Sequence, residues 1–282
     1  RRLRYEIRVS MGPGDCANIA REAAQTGQEL RIYACGGDGT LNEVVTGMVG
    51  FPNAAVTVFA GGSGNDFIRM FDNPEAFTDL NQLLDAREEQ LDLIRVNDDY
   101  AFNICSVGLD ARIGTDVSGY KRIPMFHGFR AYLVSTLVNV IRGIGEHYNI
   151  EINGRRMDGE YTMVCVCNGQ FYGGGFHPVP EADPRDGKLE VLLVEKVSRL
   201  KVPGIIAKYK AGRYRELPEI VQHFTTDRLT IRCDNDTAIN LDGELRRAKV
   251  INISVAEEKI RFFYPASTRL VVKKTAPEAA TV

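Results

Sequence analysis

The chain reads as an α/β domain followed by a domain of antiparallel strands, and three observations predict this. The first 90 or so residues alternate short apolar runs with apolar stripes of helical period. From residue 91 onward, short strand-like runs bounded by turn residues dominate and helices become few. Two glycine-rich segments, 36–44 and 61–69, each follow directly on an apolar run near the start. The expected units are residues 1–90 and 91–282, with no internal repeat.

Residues 3–10 carry a strand pattern. Asp15 can cap a helix striped by Cys16, Ile19, Ala20 and Ala23, with Gly27 ending it. Residues 32–35 form a buried strand, and Leu41, Val44, Val45 and Met48 at i, i+3, i+4 and i+7 mark the helix after it. Residues 56–59 are the next strand, and Asn73-Pro74 opens a helix carrying Leu80, Leu83 and Leu84. The expected strands beyond are 91–96, 100–107, 148–152, 161–167, 189–194, 228–233, 238–241 and 250–255. Asn153-Gly154 is a hairpin turn, and Asp234-Asn235-Asp236 is expected to make another. Helices are expected at 131–142 and 203–210, with a loose tail from Thr275.

The first glycine segment, GGDGTLNEV at 36–44, is a turn between a strand and a helix N-terminus. Glycines let backbone approach an anion, and the free N–H groups and dipole of the helix favour phosphate. Asp38 inside such a loop would repel phosphates unless a divalent cation lies between, which points to a metal-nucleotide site. The plain alternative is a glycine turn with Asp38 as a helix cap. A Walker loop would need Lys where Thr40 stands, and a dinucleotide fingerprint a third Gly where Asn42 stands. The second segment, GGSGNDFIR at 61–69, again joins hydroxyl, amide and carboxylate, and two such loops on consecutive strands face one crevice. Further along, Asp242 and Glu244, separated by Gly243, can project the same way from a strand end; an ordinary Asp-Gly hairpin turn is the alternative.

Composition narrows the classes. Of 282 residues, 44% are hydrophobic and 26% charged, as in globular proteins, and a net charge of −2 offers no overall attraction to nucleic acid. The most apolar stretch, 131–141, is interrupted by Ser135, Thr136 and Asn139, so no transmembrane segment is expected. Arg1-Arg2-Leu3-Arg4 does not resemble a signal peptide, and a cytoplasmic location, peripheral at the membrane, is the expectation. Six cysteines lie mostly in apolar runs and read as reduced core thiols, with Cys165 and Cys167 on one face of a strand. Four scattered histidines give no zinc motif.

GGDGTLNEV and GGSGNDFIR together resemble the diacylglycerol kinase catalytic family, which includes bacterial lipid kinases and sphingosine and ceramide kinases and is related to NAD kinases. The resemblance continues through NICSVGLDA at 103–111, NGQFYGGG at 168–175, PEADPRDGKL at 180–189 and Asp242-Gly243-Glu244, covering nearly the whole chain in order. It implies an NAD-kinase-like, three-layer α/β domain and a C-terminal antiparallel β-sandwich. The family opens with a strand carrying an Asn-Pro-x-x-Gly loop, and residues 3–10 match its second strand, so residues preceding Arg1 are expected. Ala60 and Ser63 stand where the family favours Pro and Thr.

By this resemblance the chain is a kinase that takes ATP as co-substrate with Mg²⁺ and phosphorylates a lipid hydroxyl at a membrane surface, diacylglycerol or a related alcohol. NAD kinase is the competing enzyme, and a catalytically silent binding module the competitor of another class. The implied nucleotide contacts are Ser10, Gly36, Gly37, Asp38, Gly39, Thr40, Asn42, Glu43, Ser63, Asn65 and Asp66. Glu244 is implied as proton acceptor, with Asp242 and Asp38 on the Mg·ATP side. Asp183, Asp186 and the Lys188 carbonyl are implied to hold a structural Mg²⁺, with a surface turn as the alternative. Asp110 is implied as the lipid head-group contact. Residues 120–130 mix Lys121, Arg122 and Arg130 with Met125, Phe126 and Phe129, as a membrane-contacting segment would. A homodimer is compatible with this reading.

Overall fold

The computed structural model describes residues 3–62, 64–109, 111–112 and 145–273. The expectations for Ser63, Asp110, the 120–130 segment, the 131–142 helix and the tail from Thr275 lie outside the described residues.

The first sheet starts from β1 (Leu30–Gly36) and β2 (Ala54–Ala60), which pair in parallel from Leu30 opposite Ala54 to Gly36 opposite Ala60. Between them runs α2 (Asp38–Met48), packed on both strands and on α1 (Asp15–Gln25). The α2 stripe read from the sequence is the buried one: Leu41, Val44, Val45 and Met48 are each 5% exposed or less. Two further strands join from far apart in sequence. β13 (Ile260–Pro265) lies parallel to β2, and β3 (Ala86–Leu91) pairs antiparallel with β13, giving the order β1-β2-β13-β3 and a mixed sheet. A single boundary near residue 90 misses this return: the chain leaves the α/β unit after β3 and comes back through Phe262 and Phe263, both fully buried.

Two local expectations fail in this half. Residues 3–10 form no strand, and Tyr5, Ile7 and Val9 are 83, 78 and 75% exposed. An extended segment becomes a strand only when a neighbour satisfies its N–H and C=O groups, and no described strand pairs with it. The helix expected from Pro74 is a 3₁₀ turn, Pro74–Thr78, followed by α3 (Leu80–Leu84). The Asp79 side chain accepts from Asn81 N at 2.9 Å, capping the second piece and so interrupting the first.

The second unit is antiparallel: β4 (Ile94–Val96), β5 (Asp99–Ala101), β6 (Ile104–Gly108), β7 (Glu146–Ile152), β8 (Arg155–Cys167), β9 (Leu189–Glu195), β10 (Val221–Thr226), β11 (Arg228–Leu241) and β12 (Glu244–Val255). The order is β10-β9-β8-β6-β11-β12-β4-β5. Outside this path, β7 bonds β11 along Leu229–Cys233 and β8 along Arg155–Tyr161, while β6 bonds the far ends of the same two strands. The sheet thereby curls around a core of Val107, Tyr148, Ile150, Val164 and Ile239. On one edge strand β11 exchanges β7 for β6 between residues 233 and 239, and on the other its register against β12 slips between 232 and 237. Asp234-Asn235-Asp236 is therefore a bulge in one long strand, not the expected turn; a bulge adds twist where the sheet must bend. Asn153-Gly154 is the hairpin turn expected, with φ of 50° and 72°.

Alternation along β8 and β9 covers both faces. Val164 and Val166 face the curled core, whereas Cys165, Cys167, Leu192 and Val194 face a second cluster capped by Phe176, Tyr209 and Tyr214. Tyr209 belongs to α4 (Val202–Lys210), which matches the helix expected there. The six cysteines are all free.

Candidate active site

The two glycine loops leave the ends of β1 and β2 and pack backbone on backbone. Gly61 N and Gly62 N both donate to Gly36 O, at 3.1 and 3.0 Å, and Asp38 N donates to Gly64 O at 3.0 Å. A Cβ on Gly62 would stand 2.4 Å from Gly37 Cα, and one on Gly37 would stand 2.4 Å from Gly64 O. Neither clash involves a side chain that could swing away, so these positions tolerate only glycine. At Gly36 the obstacle is the Thr40 side chain, whereas Gly39 has open space at its Cβ position.

Asp38 is the first residue of α2. Its carboxylate accepts Asp66 N at 2.8 Å and Phe67 N at 3.1 Å, tying the second loop to the first helix. It acts as a cap, but for the 3₁₀ turn Phe67–Met70 and not for its own helix. Asp66 is 3% exposed; its carboxylate accepts Gly174 N at 2.6 Å and pairs with Arg69 at 3.3 Å. Burial pushes the Asp66 carboxyl up, with the Asp38 charge adding to the effect. Asn65 donates to Gly62 O, while the Oδ1 atoms of Asn65 and Asn42 are buried with no protein donor. Those orphaned acceptors beside an open helix N-terminus suit a ligand or water that donates hydrogen bonds.

The β11–β12 hairpin meets the second glycine loop through Phe102, whose ring centroid lies 4.3 Å from that of Phe67. Asp242 and Gly243 form its turn with φ of 50° and 100°. The Asp242 carboxylate accepts Phe102 N at 2.5 Å, Ile104 N at 2.7 Å and Asn103 N at 3.1 Å. Burial pushes its pKa up to about 6 against these donors, and the Asp38 charge adds to the rise. Glu244, by contrast, is exposed at the start of β12. The expectation that Asp242 and Glu244 project alike fails because Asp242 sits in a left-handed turn, where strand alternation does not hold.

Other expected residues lie differently. The Glu43 carboxylate accepts Gly14 N at 2.9 Å and Cys16 N at 3.2 Å, so it caps α1. Ser10 is exposed in the unpaired N-terminal segment. Both Asp183 oxygens are held by the Arg185 guanidinium, at 2.7 and 2.9 Å, and Asp186 Oδ1 accepts Lys188 N at 2.9 Å. Asp186 has no ion pair among the described residues, and burial raises its carboxyl, helped by Asp183, Glu190 and Asp92. Asp92, not singled out from the sequence, is fully buried; it accepts Gly187 N at 2.8 Å and pairs with Lys259 at 2.7 Å. Asn103 and Asn168 were also missed. Asn103 donates to Phe171 O, and Asn168 to Asp92 O and Phe102 O, lashing the β8 end to the Asp242 turn. A buried asparagine ending an apolar strand was the available signal.

No described group of three acidic, histidine or cysteine side chains forms a metal cage. Mg²⁺ in phosphoryl transfer rarely uses one, relying on one or two carboxylates plus phosphate oxygens and water. The repulsion that the Asp38 charge exerts on Asp66 is of the sign a cation relieves, so these two carboxylates fit such an ion. A cavity of about 440 Å³ lies elsewhere, at the β11 bulge, lined by Arg112, Glu146, His147 and Asp234, and shares no residue with the glycine loops.

The two bonded glycine loops, with Asp38 and Asp66 between them and the Asp242 turn beside Phe102, form one polar arrangement at the ends of β1 and β2. Residues 1–96 match the diacylglycerol kinase catalytic domain and residues 103–264 the YegS C-terminal NAD kinase beta sandwich-like domain. The chain belongs to the family of the YegS C-terminal NAD kinase beta sandwich-like domain, preceded by a segment matching the diacylglycerol kinase catalytic domain. A Staphylococcus carnosus protein named "Putative lipid kinase" is 24% identical over 92% of this chain and 85% of its own length. A Staphylococcus epidermidis protein of the same description is 26% identical over 90% and 84%. Among solved structures, a diacylglycerol kinase from Bacillus anthracis superposes with a TM-score of 0.66 at 18% identity, covering 93% of this chain and 85% of that one, which establishes the shared fold. No described helix is long and apolar enough to cross a membrane.

Proposed function

We propose that this chain transfers the γ-phosphoryl group of ATP to the hydroxyl of a lipid alcohol, diacylglycerol or a close relative. The observation that carries the reading is that Asp38, at the N-terminus of α2, holds Asp66 N and Phe67 N, while the Asp242-Gly243-Glu244 hairpin holds Phe102 N, whose ring lies 4.3 Å from that of Phe67. The backbone of Gly36, Gly37, Gly39 and Thr40 and the α2 dipole receive the phosphates. Asn42 and Asn65, whose Oδ1 atoms have no protein donor, complete the polar lining. Asp38 and Asp66 would hold Mg²⁺, which when bound offsets charge developing on the phosphates. Asp242 gathers the N–H groups of Phe102, Asn103 and Ile104, so its role is to fix the hairpin that presents Glu244. Glu244, exposed and free to approach substrate, orients the lipid hydroxyl and accepts its proton.

The relatives' names support a lipid acceptor. The test is transfer of labelled phosphate from ATP to a panel of lipid alcohols in micelles, with NAD as a competing acceptor. Labelled phospholipid and unchanged NAD are expected. NADP formation without lipid product would replace this reading with the NAD kinase one.

A further inference from the structure

Residues 196–215 hold seven basic side chains (Lys196, Arg199, Lys201, Lys208, Lys210, Arg213 and Arg215) and no acidic one, in a chain of net charge −2. Several are already neutralised: Lys196 pairs with Glu160 at 2.6 Å, Lys208 and Arg213 share Glu216, and Arg215 pairs with Glu181. Arg199 and Lys201 make no ion pair among the described residues. Between them stands Leu200, 93% exposed, more so than any other large apolar side chain described. A single exposed leucine means little. Here it projects between two unpaired cations from a 3₁₀ turn, Arg199–Lys201, that runs straight into α4, and α4 is anchored in the β core by Val202 and Tyr209, 5 and 6% exposed.

We infer that this turn and the start of α4 form a docking face for an anionic phospholipid bilayer, with Leu200 entering the acyl boundary and Arg199 and Lys201 at the headgroups. Basic side chains around an apolar wedge match the two contributions that hold a peripheral protein on such a surface, charge attraction and apolar burial. The choice of a bilayer as occupant rests on the reading of the chain as a lipid kinase. The face is also joined to the cleft: His177 N donates to Lys210 O at 3.1 Å, and three residues earlier Gly174 N bonds Asp66.

Co-sedimentation of the full chain with vesicles tests this, using phosphatidylcholine alone and an equal mixture with phosphatidylglycerol. Binding to the anionic vesicles only, weakened by salt, is expected. The double variant Arg199→Glu/Lys201→Glu should lower partitioning by at least about 25-fold, since each basic residue near such a surface contributes roughly fivefold. Leu200→Ser should lower it by about tenfold through lost apolar burial. Both variants should keep the melting temperature and phosphate transfer to a short-chain, monomerically dispersed diacylglycerol. Equal vesicle binding by wild type and variants, or none by wild type, overturns the inference. So does binding to a single-stranded oligonucleotide as tight as to vesicles and insensitive to Leu200→Ser. If vesicle binding behaves as expected while no acceptor is phosphorylated, the docking face stands and the kinase reading fails.

Discussion

Replacing Asp242 by asparagine isolates the group on which the hairpin and the cleft both depend. Its carboxylate takes three backbone N–H groups yet remains raised from 3.8 to about 6, because burial outweighs those donors. A carboxyl raised on folding binds its proton more tightly in the native state. Stability therefore falls as pH rises from below 4 to above 6, and is flat beyond. At about 1.36 kcal/mol per pH unit, the difference between 3.8 and about 6 is worth about 3 kcal/mol. Asparagine does not titrate, and its NH₂ would face backbone donors, leaving at least one buried N–H unpaired at a cost of about 1–3 kcal/mol. Urea unfolding of both proteins from pH 4 to pH 7 gives the comparison. Wild type should lose about 2.4 kcal/mol more than Asp242→Asn between pH 4 and pH 7, since the unfolded carboxyl is already partly ionised at pH 4, while the variant's kinase rate falls because Glu244 is no longer fixed. Parallel pH profiles, or a wild-type advantage that grows with pH, would refute the burial argument.

Glu244→Gln should lower kcat by about a hundredfold or more with an unchanged melting temperature, since an exposed amide keeps the shape but cannot take the proton; a normal rate would remove Glu244 from the chemistry. Asp38→Ala should cut turnover by about a thousandfold and also cost about 2–4 kcal/mol of stability, because Asp66 N and Phe67 N lose their acceptor; near-normal turnover sinks the assignment. Gly62→Ala should separate the loops, lowering the melting temperature and raising KM for ATP; wild-type kinetics would mean the 2.4 Å approach to Gly37 relaxes freely. Asp186→Asn should shrink the rise in melting temperature that Mg²⁺ produces, by mass action on the native state; an unchanged Mg²⁺ response would mean that the Asp183–Lys188 segment is only a turn.

The sequence by itself determined the elements whose signals are local. The period-3.6 stripe of α2, the apolar runs of β1, β2, β8 and β9, the Asn153-Gly154 turn and both glycine loops were legible because each depends on neighbours a few residues away. Asp38 and the Asp242-Gly243-Glu244 segment were also legible as candidates for chemistry. What the sequence left open was which carboxylate does what, because that depends on partners far along the chain. Glu43 caps α1, Asp242 gathers N–H groups from residues 102–104, some 140 positions earlier, and Asp38 spends its oxygens on Asp66 and Phe67. Tertiary structure alone also turned Asp234-Asn235-Asp236 into a bulge and returned β13 to the first sheet. Strand pairing over such distances is chosen by how buried faces and backbone hydrogen bonds are satisfied together, and no window of sequence contains both partners.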